Sequence, residues 1–132
     1  MINLGSLLAL GTALALLGCS GDARKDAGRI LRQVGAQPLR RDAGKLYKNL
    51  FAATTGQYFL VSLDKCPPTF RSFTPREVRA YPDGFALALR IEHGAEEGLY
   101  VVPVGMDREP RAAPSARFQR IDDGVYWYWF AR

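Results

Sequence analysis

Polar and apolar positions along the chain fall into two regimes, one of helical period and one of period two. In the first, Ala23, Ala27, Ile30, Leu31 and Val34 recur at the spacing of one helix face. Asp22 suits an N-cap, Gly35 suits the position just past the helix end, and Pro38 opposes immediate continuation. The pattern predicts a helix over 23–34, weakened in its middle by Gly28. A second stripe of Ala43, Leu46, Tyr47, Leu50 and Phe51, opposed by Lys45, Lys48 and Asn49, predicts a helix over 41–54. Thr54, Thr55 and Gly56 end it. Residues 58–63 are too short and too apolar for a third helix and read as a strand or a buried extended segment. Cys66-Pro67-Pro68 then forces an irregular stretch.

From residue 76 the period is two. Strands are expected over 77–81, 85–91, 99–104, 117–121 and 125–130. Pro82-Asp83-Gly84 and Asp123-Gly124 are turn signals. His93-Gly94 and Glu97-Gly98 bracket a connection, and 107–116, rich in Pro and Ala, reads as a loop. Helices first and strands afterwards argue for an α+β fold. The expected architecture is two N-terminal helices packed on an antiparallel meander sheet of four to five strands. No internal repeat interrupts it.

Ahead of the first helix lies a different kind of segment. Residues 1–21 carry no charged side chain, and 4–18 form a run of Leu, Ala and small residues with Ser6 and Thr12 as the only polar side chains. The run is shorter than the roughly 20 residues a spanning helix needs, and it suits the apolar region of a signal peptide. It closes on Leu16-Leu17-Gly18-Cys19. This tetrapeptide resembles the lipobox of bacterial lipoprotein precursors, with a large aliphatic residue three before the cysteine and a small one just before it. The resemblance implies a diacylglyceryl thioether on Cys19, cleavage between Gly18 and Cys19 by signal peptidase II, and acylation of the new amine. Ser20 in place of Asp implies sorting to the outer membrane, facing the periplasm. The chain then divides into a signal peptide (1–18), a lipidated cysteine with a short tether (19–22) and one small domain (23–132). The lipid contributes about 0.8 kcal/mol per buried methylene, and more than one acyl chain makes attachment stable.

Composition changes this picture little. The chain has 132 residues, 48% hydrophobic and 23% charged, as expected of a globular domain. The net charge of +5 arises from Arg and Lys placed after residue 21. A basic surface attracts anionic partners, but an excess of this size is ordinary for a soluble surface, and no nucleic-acid partner is expected. Arg24, Lys25, Arg29 and Arg32 lie within a few residues of Cys19, on a helix face that either meets headgroups or is simply solvated. With Cys19 lipidated, Cys66 has no second cysteine to pair with.

Candidate chemistry is sparse. His93 stands among Glu92, Glu96 and Glu97, too few ligand types for a zinc site, so no metal and no cofactor are expected. Cys66 and His93 form a nucleophile and base only if the fold joins them. Asp122-Asp123 before Gly124 is turn chemistry. The more distinctive feature is the strand Tyr126-Trp127-Tyr128-Trp129-Phe130. Alternation places Tyr126, Tyr128 and Phe130 on one face and Trp127 and Trp129 on the other. One set fills a core; the other is covered or exposed, and exposed aromatics stack on sugars or anchor protein interfaces. The expected role is therefore a membrane-anchored envelope lipoprotein, a non-enzymatic binding module with a protein or glycan partner. The alternatives are an enzyme using Cys66 or scattered carboxylates, and a toxin-neutralising immunity-type lipoprotein.

Overall fold

The computed structural model describes residues 22–51, 58–111 and 115–131. It is an α+β fold. Helix α1 covers 22–34 and helix α2 covers Ala36–Phe51. A six-stranded antiparallel sheet follows: β1 (Phe59–Val61), β2 (Glu77–Tyr81), β3 (Gly84–Glu92), β4 (Ala95–Val101), β5 (Arg117–Asp122) and β6 (Val125–Ala131). A 3-10 turn (Leu63–Lys65) and a short helix α3 (Pro68–Arg71) join β1 to β2. No described helix is long and apolar enough to cross a membrane.

Several boundaries differ from those read in the sequence. Helix α2 starts at Ala36 rather than 41, with Pro38 inside its first turn, where a missing N–H leaves no helical bond unmade. Gly35, at φ +88°, is the single-residue hinge between the two helices. Residues 52–54 of the expected second helix lie outside the described residues. The sheet has six strands because three residues of 58–63 pair with β2, Leu60 facing Arg79. Strand β4 begins at Ala95, so Glu97-Gly98 lie within it and not in the connection. That connection is only His93-Gly94, both at positive φ.

The strand order is β1-β2-β3-β4-β6-β5, so the sheet is not a simple meander. The chain after Val101 passes β6 by and returns as the edge strand β5. Composition explains the swap. Strand β6 is nearly all apolar and takes the inner position, while β5, with Arg117, Gln119, Arg120 and Asp122, puts charge on the open edge.

Registers define two faces. Val78, Leu87, Leu99 and Trp127 form one cross-strand row on the helix side, and Ala80, Phe85, Val101 and Val125 form the next. Leu31, Leu39, Ala43 and Phe70 close this core from above. Phe85, Leu87, Leu99, Val101 and Val125 are fully buried. Each such side chain stabilises the fold by about 1.5–3 kcal/mol. The opposite face carries a smaller cluster of Tyr81, Ala86, Tyr100, Val102 and Tyr128, capped by Met106, Phe118, Tyr126 and Phe130. Edge-to-face ring contacts join Tyr100 to Phe118 (5.2 Å) and to Tyr128 (6.3 Å).

The helices have a clear direction over the sheet. Near the start of α1, Arg24 Nη2 donates to Gln119 Oε1 at 2.7 Å, and Ala23 lies beside Leu89. Just past its end, Gln37 Nε2 donates to Asp123 Oδ2 at 3.5 Å. Helix α2 then crosses the end of the sheet that holds the β5–β6 and β2–β3 turns. Its Arg40 binds Asp123 of one turn, and its Tyr47 Oη donates to Pro82 O of the other at 2.8 Å. The His93-Gly94 turn and Trp129 are at the opposite end, where α1 begins.

Candidate functional site: a cleft beside the aromatic strand

The five aromatic residues of β6 have different surroundings. Trp127 is buried in the helix-side core. Tyr128 is buried on the other face, where its hydroxyl donates to Glu96 Oε2 at 2.7 Å. Tyr126 is half-buried, with its ring edge-on to Phe118 at 6.4 Å. Trp129 is 38% exposed. The alternation expected from the sequence therefore separates the faces correctly, and Trp127 and Tyr128 are packing residues. Trp129 is exposed and Tyr126 and Phe130 are half-buried, Phe130 being stacked on Tyr128 at 6.1 Å and covered by the Arg79 guanidinium at 5.6 Å.

Tyr126 and Phe118 line a cleft of about 570 Å³. One wall is the segment Met106 to Pro110; the other is Arg120, Asp123 and Gly124. Its volume lies within the range of small-ligand pockets. The rim carries both signs of charge, from Arg108 and Arg120 and from Asp107, Glu109 and Asp123. An aromatic floor under a rim of mixed charge offers stacking and directed hydrogen bonds, and suits a polar ligand or a peptide loop.

Arg40 holds this cleft in shape. Only 5% of it is exposed. Its Nε donates to Val102 O at 2.9 Å, Nη2 to Pro103 O at 3.3 Å, and Nη1 to Asp123 Oδ2 at 3.2 Å. One guanidinium thus ties α2, the strand exit after β4 and the β5–β6 turn. Gly124 is required beneath it: the residue sits at φ +64°, and a Cβ there would lie 2.1 Å from Arg40 Nε. Asp83 anchors the far side of the same loop. Its carboxylate accepts the Arg111 backbone N–H at 2.6 Å and the Tyr100 hydroxyl. Burial, and secondly the Asp83 carboxylate, push the Tyr100 phenol far above its ordinary value, so it stays a donor.

A second, shallower hollow of about 280 Å³ lies at the other end of the sheet, between Trp129, His93, Arg90, Glu92 and Glu97. Arg90 bridges Glu92 at 2.9 Å and Glu97 at 3.7 Å. Burial raises the Glu97 carboxyl above its ordinary value, with Arg90 acting in the opposite sense. His93 is exposed in a left-handed turn conformation at φ 51°. Among the described residues no group of three or more His, Cys, Asp or Glu is placed to hold a metal.

Cys66 is a free, buried thiol whose Sγ donates to Ser62 O at 3.5 Å. Burial pushes its pKa up, which disfavours the thiolate a nucleophile needs. No hydrogen bond or ion pair joins it to His93. Cys19 and Gly18 lie outside the described residues. No protein-family model, curated protein or solved structure matches this chain.

Arg40 and Gly124 were not legible as site residues in the sequence. The available signal was weak: a lone Arg on the apolar side of a helical stripe, beside Leu39 and Ala43, and a glycine after two aspartates.

Proposed function

We propose that this chain is the precursor of a lipid-anchored envelope protein whose folded domain binds a partner and does not transform a substrate. The observation that carries the reading is the tetrapeptide Leu16-Leu17-Gly18-Cys19 at the end of an uncharged apolar run. Cys19 takes the lipid, Gly18 marks the cut, and Ser20 directs the protein to the outer membrane, facing the periplasm. Support for a binding role comes from the cleft over Tyr126 and Phe118, rigidly framed by Arg40 and Asp83. The buried state of the Cys66 thiol speaks against the enzyme alternative that relies on it. The partner is a protein loop or a glycan, either of which an aromatic floor with a polar rim accommodates.

The test has two stages. Intact-mass measurement of the membrane-extracted protein is expected to show a chain beginning at Cys19 and carrying acyl groups. A mass that retains residues 1–18 refutes the anchor. A photo-crosslinking residue at Arg108, on the cleft rim, is then expected to capture a partner in intact cells. The same residue at Lys48, on the outer face of α2, is expected to capture none. Equal capture at both positions, or none at either, refutes the cleft as the binding site.

A further inference from the structure

We infer that the end of the sheet holding Trp129 is a second, non-covalent membrane contact, a Trp and Arg surface that docks on anionic phospholipid headgroups and fixes the orientation of the domain. This rests on lipidation at Cys19. Three peptide steps separate Cys19 from the first helical residue, 22, and in any conformation they span about 11 Å at most. The start of α1 is therefore held at headgroup level, and whatever surrounds it is held there too.

Its surroundings are specific. Arg24 reaches Gln119 on β5, two residues from Arg117. Arg117 is the register partner of Trp129 on the same face. Arg24 also acts electrostatically on Glu97, the register partner of Trp129 on its other side. Trp129, Arg24 and Arg117 thus share one corner, with Lys25 next to Arg24 on the same turn of α1. Arg24, Lys25 and Arg117 are all exposed, and none of them forms an ion pair among the described residues. By contrast, Arg29 and Arg90 nearby are bridged to Asp26, and to Glu92 and Glu97. Exposed cations matched to an anionic surface, beside a half-exposed indole, are the side chains that settle at a membrane interface. The opposite end of the sheet, with the cleft and α2, then faces away from the bilayer.

The test uses the full chain, expressed with its leader, purified in detergent and checked by intact mass. The lipid-bearing protein is reconstituted into phosphatidylcholine vesicles with or without phosphatidylglycerol. Some of the acyl chains are brominated, to quench nearby tryptophan. Trp127 is buried and Trp129 is 38% exposed, so quenching that is lost in Trp129→Phe reports Trp129. Quenching is expected in the anionic vesicles only, lost in Trp129→Phe and at high salt. In Arg24→Gln/Arg117→Gln the docked-to-undocked ratio falls about fivefold per charge removed. Lys45→Gln/Lys48→Gln on α2 serves as the control for charge alone and is expected to keep the quenching. Equal quenching in both vesicle types, or none in either, with acylated protein overturns the docking surface and leaves the anchor standing. A protein without acyl groups overturns both.

Discussion

Replacing Arg40 with methionine tests the frame of the cleft most directly. Methionine keeps the apolar stem of the side chain and removes every donor. The structure then leaves the Val102 and Pro103 carbonyls, both in buried residues, without their guanidinium partner. An unsatisfied buried acceptor costs about 1–3 kcal/mol. The lost bond to Asp123 adds little, because that carboxylate is 59% exposed and surface pairs contribute about 0–1 kcal/mol. The expected loss is therefore about 3–5 kcal/mol, and a kcal/mol lowers Tm by roughly 4 °C in a domain of this size. Urea unfolding followed by the emission of buried Trp127 measures it. Arg40→Lys keeps charge and stem but replaces the planar fork by one nitrogen, and is expected to lose about half as much. Asp123→Asn removes the turn carboxylate that Arg40 shares with the exposed Arg120 and Gln37, and is expected to cost under about 1 kcal/mol. The reasoning fails if Arg40→Met unfolds within about 1 kcal/mol of the parent, or if Asp123→Asn costs as much as Arg40→Met.

Three further outcomes follow from the same geometry. Gly98→Ala sets a Cβ 2.0 Å from Leu87 O and 3.0 Å from Leu89 N, both backbone, and should cost about 3 kcal/mol or more in the same urea assay; a mild effect would mean that β3 yields easily where its register with β4 shifts, between Ala88 and Arg90. The Glu97 carboxyl titrates above its ordinary 4.5 in the fold because it is buried, so its stabilising contribution is complete below pH 4.5 and is lost as pH rises through the raised value. Glu97→Gln should thus raise Tm near neutral pH and leave it unchanged in acid, and equal shifts at both would contradict the assignment. Glu96→Leu takes the buried carboxylate from Arg79, leaving it the half-buried Glu77, and should cost about 3–5 kcal/mol, whereas the triple change Arg79→Met, Glu96→Leu and Tyr128→Phe should recover most of that loss; a triple variant as unstable as the single one would show that packing, not charge, is decisive.

Local patterns in the sequence identified most elements because each obeys its own period. The α1 stripe, the alternation in β3 and the aromatic run of β6 fixed which side of each element is apolar. The order of the last two strands was not legible. It depends on a loop choosing to pass β6, a decision made by long-range competition for the inner position and not by any local signal. The start of α2 was misplaced because Pro38 reads as a terminator, yet in the first turn of a helix it is a tolerated residue. Of the candidate surface, alternation separated Trp127 and Trp129 from Tyr126 and Tyr128 but did not tell the exposed member of each pair from the buried one, which depends on where the helices and the β4–β5 loop end. The roles of Arg40 and Asp83 were not, because a charged side chain is expected at the surface until the fold supplies it with buried acceptors.

The face away from the helices carries one more polar cluster. Arg79 is 7% exposed, paired with Glu77 at 2.9 Å and with the buried Glu96, and flanked by the rings of Tyr58 and Phe130 at 5.9 and 5.6 Å. Its neighbours along β2, Val78 and Ala80, point into the helix-side core. Side chains alternate along a strand, so a slip of one residue between β2 and β3 would drive a guanidinium in among Phe85, Leu87 and Phe70. Likewise, a slip of β4 would carry the Glu96 carboxylate to the same apolar side. Both alternatives strand a charge where nothing can answer it. The cluster is therefore better understood as a proofreading device for strand alignment than as a source of net stability. It makes mispaired sheets costly in a small protein whose order of strands its local sequence does not dictate.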